Sequence, residues 1–346
     1  MLPIKTPITN TITDSGYTGR FAPSPTGPLH FGSLVTAVGS YLEAKSRNGK
    51  WMLRMENLDA SREIPGASEE ILRTIEVLGM EWDGEPMYQN QRNAIYEAAV
   101  FALESRSLVY PCFCSRKEIA DSSIRGIEGP VYPGTCRAGS NQKRTGARRL
   151  RTDNASIEFV DALHGRIRQR LESDIGDFVL RRADGVFTYQ LAVAVDDAEQ
   201  GITHVVRGED LLSSTPRQIY LQRLLEYATP LYMHLPVVTN ARGEKLSKQT
   251  GAPPVDISRP ILPLMMALRF LGQAPPTELE RGSVKTFWEW AIYNWNPQAI
   301  LLRTNTYNDA GPVSKDNGKI VTPNGDYRRA PCYSSTPKLN NADRSE

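Results

Sequence analysis

Two stretches far apart in the chain place residues that could handle a phosphate. The first is RFAPSPTGPLHFGS, residues 20–33. It joins a strand-like run, YTGRFA, to a helical pattern, so its backbone N–H groups gather at a helix N-terminus, where an anion is stabilised. Gly27 and Gly32 let a phosphate come close to the backbone, and His30 adds a donor able to carry positive charge. The second is RGEKLSKQTGA, residues 242–252, which sets Lys245 and Lys248 three apart in a glycine-flanked loop. Neither is specific alone: H-x-G-S is a short match, and two lysines in a loop are commonly a solvated surface. Their pairing at opposite ends of one α/β framework is what shifts the balance toward chemistry. A third group is sulfur, with three of the four cysteines (Cys112, Cys114 and Cys136) in a C-x-C and a later C. Thiolates suit zinc, but a structural zinc site takes four ligands, so spacing leaves zinc and three inert buried thiols both open, with His164 as a competing ligand.

The elements that would carry these groups are readable by period. SLVTAVGSYLEAKSR sets Leu34, Val38, Tyr41 and Leu42 on one helical face, with Ser33 as the expected N-cap. WMLRM alternates as a strand does, with Trp51, Leu53 and Met55 on one side. Strand, loop, helix and strand in this order predict a βαβ unit and a parallel sheet. ASEEILRTIEVLG repeats the amphipathic stripe through Ile71, Leu72, Ile75 and Leu78, with Gly79 as its stop. Periodicity lapses from Tyr110 to Arg151, which reads as an insertion. Its end, residues 137–151, carries six Lys or Arg and no acid, either a solvated linker or a contact to a phosphate backbone. Helix and strand patterns then return, and VFTYQLAVAV is apolar enough for a buried central strand. Beyond Lys248 two helical pieces follow, and Trp288, Trp290 and Trp295 are expected to pack this end onto the main domain, with stacking on bases as the alternative. The domain plan is a flexible leader over 1–16, two halves of one catalytic α/β domain over 17–109 and 152–255, the insertion at 110–151, a short helical region at 256–301 and a disordered tail over 302–346.

Composition sets outer bounds. At 346 residues the chain has room for about two domains at roughly 150 residues each. Hydrophobic residues at 40% and charged residues at 23% are ordinary for a globular protein. The net charge of +2 excludes a polycation that coats nucleic acid without selectivity. Four cysteines are too few for a disulfide-dense scaffold. No apolar run reaches the roughly 18 residues of a membrane span, and MLPIKTPITNTITDSG is a poor signal peptide, so no membrane partner and a cytoplasmic location are expected.

The motifs carry a resemblance. P-S-P-T-G-x-L-H-x-G-S followed by K-L-S-K resembles the paired signatures of class I aminoacyl-tRNA synthetases in their glutamyl version, here His30-Phe31-Gly32-Ser33 and Lys245-Leu246-Ser247-Lys248-Gln249. The likeness extends through LRMENLDASREIPGA, MYQNQR, YPCFCSRKEI, YPGTCR, DFVLRRADGVFTYQLAVAVDD, ITHVVRGEDLL and MHLPVVTNARGEKLSKQ, covering roughly residues 17–300. Within the family the chain looks like the short glutamyl paralogues. Only 98 residues follow Lys248 (346 − 248), less than a whole anticodon-binding domain needs, and KLSKQ also looks like their version of the second signature.

The resemblance implies an α/β fold, a Rossmann-like parallel sheet with a zinc-bearing insertion and a short C-terminal helical region. It implies a ligase that activates L-glutamate with ATP and Mg²⁺, without tRNA, and passes it to queuosine in the anticodon of tRNA(Asp). Conventional charging of a tRNA 3′ end is the alternative, and a monomer is expected. His30, Lys245 and Lys248 would be catalytic, with Gly32, Ser33 and Ser247 beside ATP. Arg20, Phe21, Ala22, Pro23, Ser24, Glu56, Tyr189 and Arg207 would line the glutamate pocket, Glu56 receiving the α-ammonium and Arg207 gripping a carboxylate. Cys112, Cys114, Tyr132 and Cys136 would hold one structural Zn²⁺ per chain, the tyrosine being an unusual fourth ligand. Asn57 departs from the family's usual Asp, which removes a negative charge beside Glu56. A nucleotidyltransferase of similar fold would need neither the RFAPSPTG pocket nor the KLSKQ loop in this combination. A zinc-ribbon RNA-binding protein would leave the long α/β framework without a purpose.

Overall fold

The computed structural model describes residues 16–122, 125–126, 129–139, 145–239, 245, 252–300, 320–322 and 325–329. Three parallel strands open it: β1 (Thr18–Phe21), β2 (Lys50–Met55) and the two-residue β3 (Met87–Tyr88), in the order β1–β2–β3. Helix α1 (Phe31–Lys45) links β1 to β2, completing the expected βαβ unit, and α2 (Ala67–Val77) follows β2. Leu34, Val38, Tyr41 and Leu42 are all buried, as are Trp51, Leu53 and Met55. The α2 stripe is also inward, with Ile71, Ile75 and Leu78 fully buried and Leu72 partly so. Gly79 ends that helix with φ +70°, the left-handed conformation that a side chain resists.

Next come α3 (Asn93–Ser105), β4 (Val109–Cys112), α4 (Arg116–Ser122), the small hairpin of β5 (Arg125–Gly126) and β6 (Gly129–Pro130), and β7 (Ala147–Leu150). Strands β4 and β7 pair antiparallel, within the lapse of periodicity. They are followed by the hairpin of β8 (Ser156–Asp161) and β9 (Gly165–Arg170), the single turn α5 (Leu171–Asp174), and β10 (Phe178–Arg181). Strand β10 pairs with β7, so the sheet β10–β7–β4 joins two strands from the stretch read as an insertion to one from beyond residue 151.

Helix α6 (Tyr189–Glu199) corrects one expectation, since VFTYQLAVAV is not a central strand. Leu191, Ala192, Val193, Ala194 and Val195 are all buried, so the helix is apolar around most of its circumference. A helix covered on every side shows no 3.6-residue stripe, and a continuous apolar run then reads equally well as a strand.

The parallel sheet resumes with β11 (His204–Gly208), then α7 (Thr215–Leu224) and β12 (Leu231–Leu235), which pairs parallel with β11 and, at Tyr232, with β8. Thr203 sits at the join: its N–H donates to the carbonyl of Thr18 in β1, and its own carbonyl accepts from Leu231 N–H. Strands β1 and β11 therefore run side by side across the middle of the sheet. Helix α1 covers one face together with α8 (Ile261–Phe270) and α9 (Val284–Tyr293), whereas α3, α6 and α7 cover the other, with separate apolar cores on the two sides. Contact is close enough that a Cβ at Gly39 would lie 2.5 Å from Leu235 Cδ1. The expected docking of the C-terminal end is present: Trp288 is buried, donates from Nε1 to the carbonyl of Leu78 at 2.8 Å and meets the Tyr41 ring edge-on at 4.7 Å.

From the segment 302–346 the structure describes β14 (Ile320–Thr322) and β15 (Gly325–Arg329), an antiparallel pair, with β15 also against β13 (Val238–Thr239). The rest of that segment and residues 1–15 lie outside the described residues. Among the described residues, no helix is long and apolar enough to cross a membrane.

Candidate active site

The C-terminal ends of β1, β2 and β11 and the N-termini of α1 and α6 converge on one cleft of about 360 Å³. This is where open parallel sheets place their ligands, because the helix N-termini and the free strand ends face the same crevice. Its lining includes Arg20, Phe21, Ala22, Pro23, Ser24, His30, Gly32, Ser33, Glu56, Tyr189, Arg207 and Lys245. The whole expected amino-acid pocket, the histidine turn and the first lysine of the distant loop thus share one space. Ser247 and Lys248 lie outside the described residues.

His30 itself caps α1, a correction to the sequence reading, which gave that role to Ser33. In extended conformation (φ −105°, ψ 170°), its Nδ1 accepts the Ser33 backbone N–H at 3.3 Å, while Ser33 Oγ accepts the His30 N–H at 3.3 Å. The turn holds His30 just outside the helix, where a ring nitrogen reaches the third helical residue as a capping oxygen would. A neutral His30 therefore carries its proton on Nε2, and its side chain lines the cleft. No acidic side chain occupies the first turn of α1, so the positive end of the helix is not neutralised locally. On the loop side, Lys245 Nζ donates to Asp210 Oδ2 at 2.5 Å, and both line the cleft.

The opposite wall is a buried charge network. Arg20 Nε donates to Asp197 Oδ1 at 3.2 Å, and Arg54 Nη2 donates to the same oxygen at 2.7 Å. Arg54 also faces Glu56 at 3.7 Å, and all but Glu56 are almost wholly buried. Burial lifts the Glu56 carboxyl to about 7, although Arg54 and Arg20 pull it the other way. Burial also raises Asp197, but the two guanidiniums outweigh it and hold Asp197 below the usual carboxylate range. Two cations and two anions hold each other in place, and only Glu56 and Arg20 reach the cleft. Asn57, the departure from the family's Asp, is used as an amide: Nδ2 donates to Glu63 Oε1 at 3.2 Å while Oδ1 accepts Asn90 N–H at 3.0 Å. An aspartate could not donate to Glu63.

Tyr189 is the first residue of α6, and Arg207 lies near the end of β11. Arg207 Nη1 donates to the Tyr189 hydroxyl at 3.2 Å, joining the two predicted contacts on the far side of the pocket. Arg54, Asp197, Asp161, His234 and Thr215, all buried and linked to Arg20, Glu56 or Arg207, are support that sequence reasoning missed. Only the alternation of β2 gave a hint, by placing Arg54 opposite Trp51, Leu53 and Met55 on a face that also proves to be covered.

A second cluster lies around β4, between residues 112 and 136. The Sγ atoms of Cys112, Cys114 and Cys136 fall within 4.8 Å of one another, and Cys114 to Cys136 is 3.7 Å. The Tyr132 hydroxyl lies 3.4 Å from Cys112 Sγ and 3.7 Å from Cys114 Sγ. Zn–S bonds of about 2.3 Å in a tetrahedron separate sulfurs by roughly 3.7–3.8 Å, which the Cys114–Cys136 pair matches, and the Tyr132 phenol stands close to two of the thiols. The competing ligand, His164, is elsewhere, with Nε2 3.0 Å from the carbonyl of His234 and 3.6 Å from Glu209. The basic run is largely committed to this region. Arg137 pairs with Asp177 and Glu172, Arg148 with Glu104, and Arg149 and Arg151 stack on Tyr132 and Tyr110. Lys143 and Arg144 lie outside the described residues.

Comparison with known proteins agrees with this geometry. The model of the catalytic domain of class I tRNA synthetases (E and Q) matches residues 17–275. The chain belongs to the class I tRNA synthetases. Among family members, a glutamyl-Q tRNA(Asp) synthetase of Dechloromonas aromatica (strain RCB) is 56% identical, over 83% of this chain and 96% of that one. One from Neisseria meningitidis serogroup A (strain DSM 15465 / Z2491) is 51% identical, over 82% and 97%. The crystal structure of a glutamate tRNA ligase from Elizabethkingia meningosepticum, in complex with its amino acid, superposes with TM-score 0.66 at 26% identity, over 83% of this chain and 66% of that one. The mixed α/β architecture with a parallel sheet is thus that of the family, and the protein is a ligase of the aminoacyl-tRNA synthetase type.

Proposed function

We propose that the protein activates L-glutamate with ATP, without tRNA, and transfers it to queuosine in the anticodon of tRNA(Asp). The observation that supports this reading is the shared cleft, lined by His30, Gly32, Ser33 and Lys245 on one side and by charges of both signs, Arg20, Glu56 and Arg207, on the other. It stands in a chain 56% identical to a protein named for this activity. An oxygen of the glutamate α-carboxylate attacks the α-phosphorus of ATP, the bond to the β-phosphate's bridging oxygen breaks, and pyrophosphate leaves. A hydroxyl of the modified base then attacks the adenylate's carbonyl carbon, forming an ester and releasing AMP.

Each wall has a task. His30 Nε2–H, the α1 N-terminus at Gly32 and Ser33, and Lys245 with Ser247 and Lys248 supply positive potential for the charge that builds on the phosphate oxygens. Arg20 and the backbone through Phe21, Ala22, Pro23 and Ser24 border the amino acid. Glu56 takes its ammonium, and Arg207 with Tyr189 takes a carboxylate. Mg²⁺ enters with ATP as counter-ion. The chemistry and spacing of Cys112, Cys114, Cys136 and Tyr132 fit Zn²⁺, which would staple the insertion without entering the reaction. The same reading takes 17–109 and 152–255 as the catalytic halves, 110–151 as the insertion and 256–301 as the helical end.

The test is ATP–pyrophosphate exchange without tRNA across a panel of amino acids, followed by charging of tRNA(Glu) and of queuosine-containing tRNA(Asp). Exchange with glutamate alone and labelling of tRNA(Asp) alone are expected, and Lys248→Ala is expected to lower exchange by about 10²–10³. Ester formation at the 3′ end of tRNA(Glu) would contradict the assignment.

A further inference from the structure

The carboxylate-binding end of the cleft rests on a chain of buried side chains running away from it. Arg207 is only 3% exposed, and a guanidinium has five N–H bonds to place. Nε donates to His234 Nε2 at 3.0 Å. Nη2 donates to Thr215 Oγ1 at 2.8 Å and toward the carbonyl of Leu211 at 3.4 Å, and Nη1 donates to the Tyr189 hydroxyl at 3.2 Å. Four of the five donors are thereby fixed, and the remaining Nη1–H belongs to a nitrogen whose side chain lines the cleft. The Tyr189 oxygen already accepts from Arg207, so its own proton is left to donate elsewhere.

This arrangement makes a demand on His234. The nitrogen that receives Arg207 Nε–H must hold a lone pair, so His234 must be neutral with its proton on Nδ1. Nδ1 lies 2.6 Å from Asp161 Oδ2. Burial drives His234 down to about 4, and the Arg207 charge beside it acts in the same direction. Asp161 is itself tied to the backbone, its Oδ1 accepting the N–H groups of Leu163 and His164 at 3.0 Å each. Both His234 and Asp161 are essentially inaccessible to solvent. None of these groups is adjacent in sequence to another: they come from the end of β8, from β11, from the start of α7 and from β12.

We propose that Asp161 and His234 are positioning residues for amino-acid binding. Asp161 fixes the Nδ1–H tautomer of His234, whose Nε2 then receives Arg207 Nε–H and turns the remaining Nη1–H, with the Tyr189 hydroxyl, toward the substrate carboxylate. The inference rests on the reading of the cleft as a glutamate pocket. Neither residue touches substrate, so the effect belongs to glutamate affinity and leaves ATP affinity alone.

Asp161→Asn is the informative variant. The amide keeps the oxygen that accepts the backbone N–H groups but turns a donor toward Nδ1, which moves the imidazole proton to Nε2, opposite Arg207 Nε–H. In glutamate-dependent pyrophosphate exchange, KM for glutamate is expected to rise about 10–100-fold, the range for a buried donor left facing a donor, with KM for ATP within about twofold. Arg207→Lys is measured in parallel. If Arg207→Lys raises the glutamate KM and Asp161→Asn does not, the proposal falls and the pocket reading stands. If Arg207→Lys also leaves the KM unchanged, the pocket reading falls. Nitrogen-15 NMR of wild-type protein labelled at histidine needs no variant to fold: a protonated Nδ1 and bare Nε2 at His234 support the proposal, and a protonated Nε2 overturns it.

Discussion

Glu56 shows what burying a carboxyl at the edge of the cleft costs at a single residue. It sits at the end of β2, faces Arg54 at 3.7 Å and is nonetheless raised to about 7, because desolvation outweighs both nearby guanidiniums. A carboxyl whose folded pKa exceeds its unfolded value of 4.5 binds protons more readily in the native state. Stability from this site is therefore full at low pH and is lost as pH rises from the unfolded value through about 7. Glu56→Gln removes that loss and is expected to be more stable than the parent at pH ~8 by about 1–3 kcal/mol, with the difference vanishing near pH ~4.5. Denaturant melts at the two pH values measure it, and an equal or less stable variant at the higher pH would refute the argument. The same substitution should raise KM for glutamate, since an amide cannot offset the substrate's ammonium. In the parent, glutamate affinity is expected to fall as pH drops below about 7, where the free carboxyl takes up a proton.

Among the elements, the region around the three thiols has, in the described residues, only a small apolar cluster of its own. Its β10–β7–β4 sheet is short, and the buried cluster of Tyr110, Cys112, Tyr132 and Cys136 is small. Polar ties do much of the work: Asp177, inaccessible in its side chain, accepts from Arg137 and from the Thr152 N–H, and Arg149 stacks on Tyr132 at 4.0 Å. A bound metal would add a covalent-like staple across residues 112–136. Metal analysis is expected to give one zinc per chain, falling to near zero in Cys114→Ser, with the insertion then cut faster in limited proteolysis. A native protein purified free of metal would argue against the site.

At the scale of the whole molecule, the question is how the C-terminal helices stay on the sheet. Trp288 fills the junction between α9, α1 and the end of α2, and at Gly79 a Cβ would lie 2.3 Å from Val284 Cγ1. Trp295 adds a hydrogen bond from Nε1 to Glu43 Oε1 at 2.9 Å. Trp288→Ala is expected to lower stability by about 3–5 kcal/mol, the range for removing a large buried aromatic. The cleft is built from other strands and helices, so pyrophosphate exchange assayed well below the melting temperature should persist. A variant as stable as the parent would show that α9 is held by something else.

Sequence by itself determined whatever is local or periodic. The His30 turn, the α1 face, the β2 alternation and the α2 stop at Gly79 were legible, because each depends on neighbours within one element, whereas the expected pocket residues came from the family resemblance. It could not separate a fully buried helix from a strand at α6, where no polar face marks the period. It gave the cap of α1 to Ser33 because a capping histidine looks like any other histidine until the backbone is placed. Tertiary structure alone decided the second layer of the site. Arg54 meets Asp197 across 143 residues, and His234 meets Asp161 across 73. Buried charges and tautomers are set by partners that only the folded sheet brings together, and no spacing in a single chain encodes that meeting.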